Sequence, residues 1–127
     1  MSQVRNRNTR PELLVRSLLH RLGFRFRLHR KDLPGTPDIV LPRYRVAIFV
    51  NGCFWHGHSC NRGHLPKTNT KFWKHKVQAN RIRDNANIQE LEELGWRTIT
   101  VWGCQTSSAL KLNELASELM RTIGPVG

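Results

Sequence analysis

No apolar run in the chain approaches the roughly 20 residues that a helix needs to cross a bilayer. Met1 to Arg10 is polar and lacks the apolar centre of a signal peptide. An intracellular, cytoplasmic setting is therefore the expectation. Internal repeats, low-complexity tracts and linker-like stretches are missing as well, so the 127 residues read as a single domain, 1–127, around one core. Cysteine is scarce and odd in number, three in all, which fits a metal site in a reducing compartment better than a disulfide framework. Acids are scarce too. Nine Asp and Glu against 21 Lys and Arg leave a formal charge of +12, more than solubility requires, and the economical partner is a polyanion, nucleic acid first. No long basic amphipathic helix with a broad aromatic face offers itself to an acidic membrane instead.

What is present concentrates between Arg45 and Cys60, RVAIFVNGCFWHGHSC. The apolar, β-branched run Arg45 to Val50 predicts a buried strand, and Asn51-Gly52 ends it in a turn, where binding and catalytic residues collect. Cys53, His56, His58 and Cys60 follow within eight positions, with the thiolate and imidazole donors that a tetrahedral zinc uses. The third cysteine, Cys104, follows another strand-like run, Arg97 to Trp102, and joins the loop if the two strands are neighbours. Three cysteines and one histidine then make a structural zinc site, with His56 and His58 equally eligible by spacing. The plain alternative is three buried thiols.

Thr9 with Glu12 forms a capping-box pattern, Pro11 suits a first turn, and Leu14, Leu18 and Leu22 recur at helical spacing before Gly23. Glu12 reads as cap partner or as a catalytic acid. Phe24, Phe26 and Leu28 alternate with Arg25, Arg27 and His29, the period of a half-buried strand with a basic face. Asp38 opens a second short strand, Asp38 to Leu41, after the turn Leu33 to Pro37. An aspartate at a strand start, a tight turn and a further strand make the first half of the layout of metal-dependent nucleases. The following strand ends Phe49-Val50-Asn51, with neither the acid nor the lysine usual there, so ligation falls to Asp38 and main-chain carbonyls, and His56 is the nearest base. Thr70 to Leu94 predicts one long helix or a broken pair, basic at its start and acidic at its end. In it Asp84 is either an i, i+3 partner of Arg81 or the group that orients a histidine. Ser107 to Ile123 closes the chain as a helix with Leu112, Leu115, Leu119 and Ile123 on one face. The element order predicts an α/β or α+β sandwich.

Together LPGTPDIV, YRVAIFVNGCFWHGHSC, LPKTNTKFW, NRIRD and LGWRTITVWGC resemble the very short patch repair (Vsr) mismatch endonucleases, over about Arg10 to Cys104. The resemblance implies an α/β, restriction-endonuclease-like core: a mixed central sheet flanked by helices, with a structural zinc. It implies a magnesium-dependent nick on the 5′ side of the mispaired thymine in a T:G mismatch, the product of 5-methylcytosine deamination. By the same resemblance Asp38 binds Mg²⁺ together with the main-chain carbonyl at Val50, His56 is catalytic, and Glu12 and Asp84 organise the hydrated metal and that histidine. Zinc falls to Cys53, His58, Cys60 and Cys104. Phe54, Trp55 and Trp73 match aromatics that wedge into the base stack, a role for which large flat side chains are suited; the plain alternative is that they are core aromatics. The implied partners are mismatched double-stranded DNA and other mismatch-repair proteins, with a monomeric enzyme near the bacterial nucleoid and no membrane.

The family commonly carries a second histidine where this chain has Asn51, which cannot move a proton. That departure supports a rival expectation, a zinc-stabilised DNA-binding module with weak or lost catalysis. A related nuclease with a different target is a third.

Overall fold

The computed structural model describes residues 9–52 and 69–124. Helix α1 (Arg10–Arg21) is followed by strands β1 (Arg27–Leu28), β2 (Ile39–Leu41) and β3 (Val46–Asn51), then α2 (Thr70–Glu93), β4 (Arg97–Trp102) and α3 (Ala109–Ile123). The four strands form one mixed sheet in sequential order, β1 and β2 antiparallel, β2 and β3 antiparallel, β3 and β4 parallel. The last pair requires a crossover, and α2 supplies it.

Period-two alternation on the central strands sorts side chains between two cores. Ile39, Leu41, Val46, Ile48 and Val101 face α1 and α3, packing with Val15, Leu18, Leu19, Leu115, Leu119 and Ile123. Val40 and Ala47 point the other way and meet Leu91 of α2 and Leu33 of the 33–36 turn, with Phe49 and Trp96 beside them. The sheet is thus the middle of three layers, in agreement with the expected mixed sheet between helices.

Local chemistry explains the element ends. Thr9 is extended and its hydroxyl accepts from the Glu12 N–H at 3.4 Å, capping α1. Ser108 caps α3 in the same way through the Lys111 N–H, at 3.2 Å. Helix α2 ends at Gly95, whose φ of +92° few residues other than glycine adopt. The Arg45 guanidinium donates to the carbonyls of Leu94 and Gly95, at 2.9 and 3.3 Å, placing a cation where the helix dipole is negative, and it lies 4.9 Å from the centre of the Trp96 ring. At Gly35, a Cβ would fall 2.9 Å from Asn87, so the turn is pressed directly onto α2.

Two expectations change, and a third is met in the first of its two forms. The predicted strand Phe24 to His29 shrinks to Arg27–Leu28, both exposed, because Phe24 is instead buried in the α1/α3 core, edge-on to Tyr44 with ring centres 5.5 Å apart. The long helical stretch is one unbroken helix, but it buries only Val77 and Leu91, while Phe72, Ile82 and Leu94 are exposed. On α1 the buried face is Val15, Leu18 and Leu19, with Leu14 only half-buried. No helix among the described residues is long and apolar enough to cross a membrane.

Candidate active site

The β1–β2 hairpin brings a histidine and an aspartate together. Leu28 stands opposite Ile39, and the pairing continues one step further, since the His29 N–H donates to the Asp38 carbonyl at 3.1 Å. His29 leaves the strand in the left-handed region, φ +47°, a conformation that histidine tolerates better than most side chains. From the first turn of α1, Glu12 reaches the same point. Its carboxylate is only 1 % exposed in an otherwise apolar layer, and its Oε2 lies 2.8 Å from His29 Nε2 while also ion-pairing with Arg16 one turn on. A buried carboxylate needs such partners, because its desolvation is otherwise prohibitive. The Glu12 N–H thus completes the Thr9 cap, while its carboxylate, the expected capping-box partner, is bonded to Arg16 and His29.

Asp38 is held from the third side. Its Oδ2 accepts the Val50 N–H at 2.8 Å, just beyond the Ile39–Ile48 pairing at which the β2–β3 ladder ends. Val50 thus reaches Asp38 through its main chain, on the strand assigned to it from the sequence. One donor atom each from Glu12, His29 and Asp38 lies within 4.8 Å of the others. Two carboxylates this close repel each other, and oxygen with imidazole nitrogen is a donor set for a divalent cation, so the residues present fit one. Beside the cluster, Arg30 and Asp32 form an exposed pair, at 2.5 and 3.0 Å, and the hydrogen bond from Arg30 holds the Asp32 carboxyl below its usual range. Being exposed, that pair adds little to stability.

Of the remaining sequence-predicted residues, those that the structure describes sit elsewhere. Asp84 is half-buried on α2 and is not part of the convergent trio. Trp73 is half-buried in the first turns of α2, its ring edge-on to Phe72 with centres 5.0 Å apart. Cys104 is half-buried in the turn after β4, and because Asn51 pairs with Trp102, β3 and β4 end at the same edge of the sheet. Cys53, Phe54, Trp55, His56, His58 and Cys60 lie outside the described residues. His29 is the member of the cluster that sequence reasoning placed only on a basic strand face. The usable signal was the hairpin itself, since a turn centred on Leu33 to Pro37 folds the residue after Leu28 against Asp38.

Comparison with known proteins adds to this geometry. A family model described as DNA mismatch endonuclease Vsr matches residues 1–62. The chain is 54% identical, over 98% of its length and 90% of the relative's, to the Type II nicking enzyme V.XorIIP of Xanthomonas oryzae pv. oryzae. It is 45% identical, over 97% of its length and 88% of the relative's, to the Type II nicking enzyme V.NmeAIP of Neisseria meningitidis serogroup A. With the DNA mismatch endonuclease Vsr of Escherichia coli K12 it shares 42% identity over 91% of its length and 74% of the relative's.

Proposed function

Since the chain belongs to the Vsr family of DNA mismatch endonucleases, we propose that it is a Mg²⁺-dependent nicking enzyme that cuts DNA on the 5′ side of the mispaired thymine in a T:G mismatch. The observation that carries this is the convergence of Glu12 and Asp38 with His29 at the end of the β1–β2 hairpin, on a chain of charge +12 suited to a phosphate backbone.

Asp38 and Glu12, with the Val50 carbonyl, are the groups that would hold the cation. When bound, the cation supplies charge neutralisation at the phosphoryl group and the departing 3′ oxygen. The rest falls to the chain's own residues. Arg16 and His29 keep the buried Glu12 carboxylate in place. His56 takes the proton of the attacking water, a task for which imidazole is suited near neutral pH, and Asp84 fixes its tautomer. Phe54, Trp55 and Trp73 wedge into the stack beside the mismatch, where unstacking costs least. Lys71, Lys74, Lys76, Arg81 and Arg83, all exposed on α2, supply phosphate contacts. A structural zinc on Cys53, His58, Cys60 and Cys104 ties the loop to the end of β4. In support, Cys104 occupies the edge at which β3 also stops.

Asp38→Asn is the direct test. It should abolish Mg²⁺-dependent nicking of a labelled T:G duplex while leaving duplex binding largely intact; persistent nicking would remove Asp38 from the mechanism. One feature favours the alternative of a DNA-binding module with weak catalysis: Asn51, half-buried at the last position of β3, where relatives commonly carry histidine. Under that alternative, Asn51→His raises nicking.

A further inference from the structure

We infer that His29 is itself a ligand of the cation held by Asp38, which gives this site an imidazole nitrogen in addition to its oxygens. The inference rests on the reading that Asp38 binds a divalent ion, and goes beyond it by adding His29 to Asp38, Glu12 and the Val50 carbonyl as a fourth protein donor, with a consequence for metal preference.

Three observations carry it. His29 Nε2 and Glu12 Oε2 are 2.8 Å apart, close to the roughly 3.0 Å that separates neighbouring corners of an octahedron with bonds of about 2.1 Å. The Nε2···Oε2 contact therefore has the span of two adjacent ligands, and with the ring hydrogen on Nδ1 the free Nε2 lone pair can bind a cation that sits between the two atoms. Second, His29 is pinned from the backbone: its N–H is spent on the Asp38 carbonyl at 3.1 Å, so the imidazole and the Asp38 carboxylate belong to directly opposed residues of one hairpin. Third, the donor atoms of all three side chains already lie within 4.8 Å of one another, with Glu12 almost fully buried and His29 only 15% exposed. Little ordering is left to occur on binding.

The chemical consequence concerns which ion is held. Carboxylates and carbonyls suit Mg²⁺ and Mn²⁺ alike, whereas an imidazole adds affinity for transition ions and little for Mg²⁺. The site should therefore favour Mn²⁺ over Mg²⁺ more strongly than an all-oxygen site would, and that excess should depend on His29.

Mn²⁺ is the probe, bound to the full-length, zinc-replete chain and followed by electron spin-echo modulation, which detects a nitrogen coordinated to the ion, and by titration calorimetry. The expected result is a directly coordinated nitrogen in the wild type that disappears in His29→Gln and His29→Asn. The Mn²⁺ dissociation constant should rise on the order of tenfold in those variants, and that for Mg²⁺ by less. Asn preserves the left-handed backbone and Gln the reach to Glu12, so the pair separates loss of the ligand from a local backbone change. Absence of a nitrogen signal in the wild type, with Mn²⁺ binding abolished by Asp38→Asn, would overturn the assignment of His29 alone. So would a nitrogen signal that survives in both His29 variants. Mn²⁺ binding indifferent to Asp38→Asn would overturn the underlying metal site and this inference with it.

Discussion

Glu12 shows how burial converts a surface-type residue into part of a site. At 1% exposure inside an apolar layer its carboxylate is bonded by Arg16 and His29, and Asp38 brings a second negative charge nearby. Without a cation the two carboxylates repel, so neutralising Asp38 should relieve the fold. Asp38→Asn is therefore expected to melt no lower than the wild type in metal-free buffer, since an amide oxygen can still accept the Val50 N–H; a marked drop in melting temperature would mean that Asp38 is mainly structural. The pair Glu12 and Asp38 was legible in the sequence, Glu12 as a cap with a second option and Asp38 as an acid opening a strand. His29 was not, because alternation with Phe26 and Leu28 describes a strand face equally well, and a left-handed residue at its end leaves no mark on that pattern.

At the level of elements, hydrophobic periodicity located the three described α-helices and the strands β2, β3 and β4, and it failed where tertiary packing took over. Phe24 alternates like a strand residue, but a buried place beside Tyr44 and the helix layer wins over extending β1. Helix α2 follows helical spacing poorly because it covers a narrow stretch of sheet, with Leu91 inside and a basic surface outside. Helix α3 shows the opposite: Leu115, Leu119 and Ile123 are all buried on one face. Leu119→Ala should cost about 2 to 5 kcal/mol by denaturant unfolding, since Leu119 is 1% exposed in the core that joins α3 to α1 and the sheet. Ser108→Ala, removing only the cap, should cost about 1 kcal/mol. Equal losses for the two variants would contradict the packing described.

For the molecule as a whole, net charge and the proposed metals set what should be measured. A +12 chain with its α2 cations exposed should bind duplex DNA with affinity that falls steeply with salt, by roughly three orders of magnitude between about 50 and 200 mM if about six phosphates are contacted. A flat salt response would argue against a backbone-dominated interface. Zinc bound by four protein ligands should survive dialysis at one per chain, and Cys104→Ser should lower stability and zinc content together; folded protein free of zinc would dismiss the structural site. The proposed zinc set was read from the spacing between Cys53 and Cys60, which lie outside the described residues; the parallel pairing of β3 with β4 accounts only for Cys104 following the end at which β3 also stops.

Cleavage of one strand at a mismatch is measured most directly with end-labelled duplexes that differ only in a T:G or T:A pair. With Mg²⁺, the wild type should produce a single cut in the thymine strand, 5′ to the mispaired base, of the T:G duplex alone, and chelation should suppress it. Tight binding to the T:G duplex with no nick at any Mg²⁺ concentration or pH would contradict the enzyme and leave a DNA-binding module.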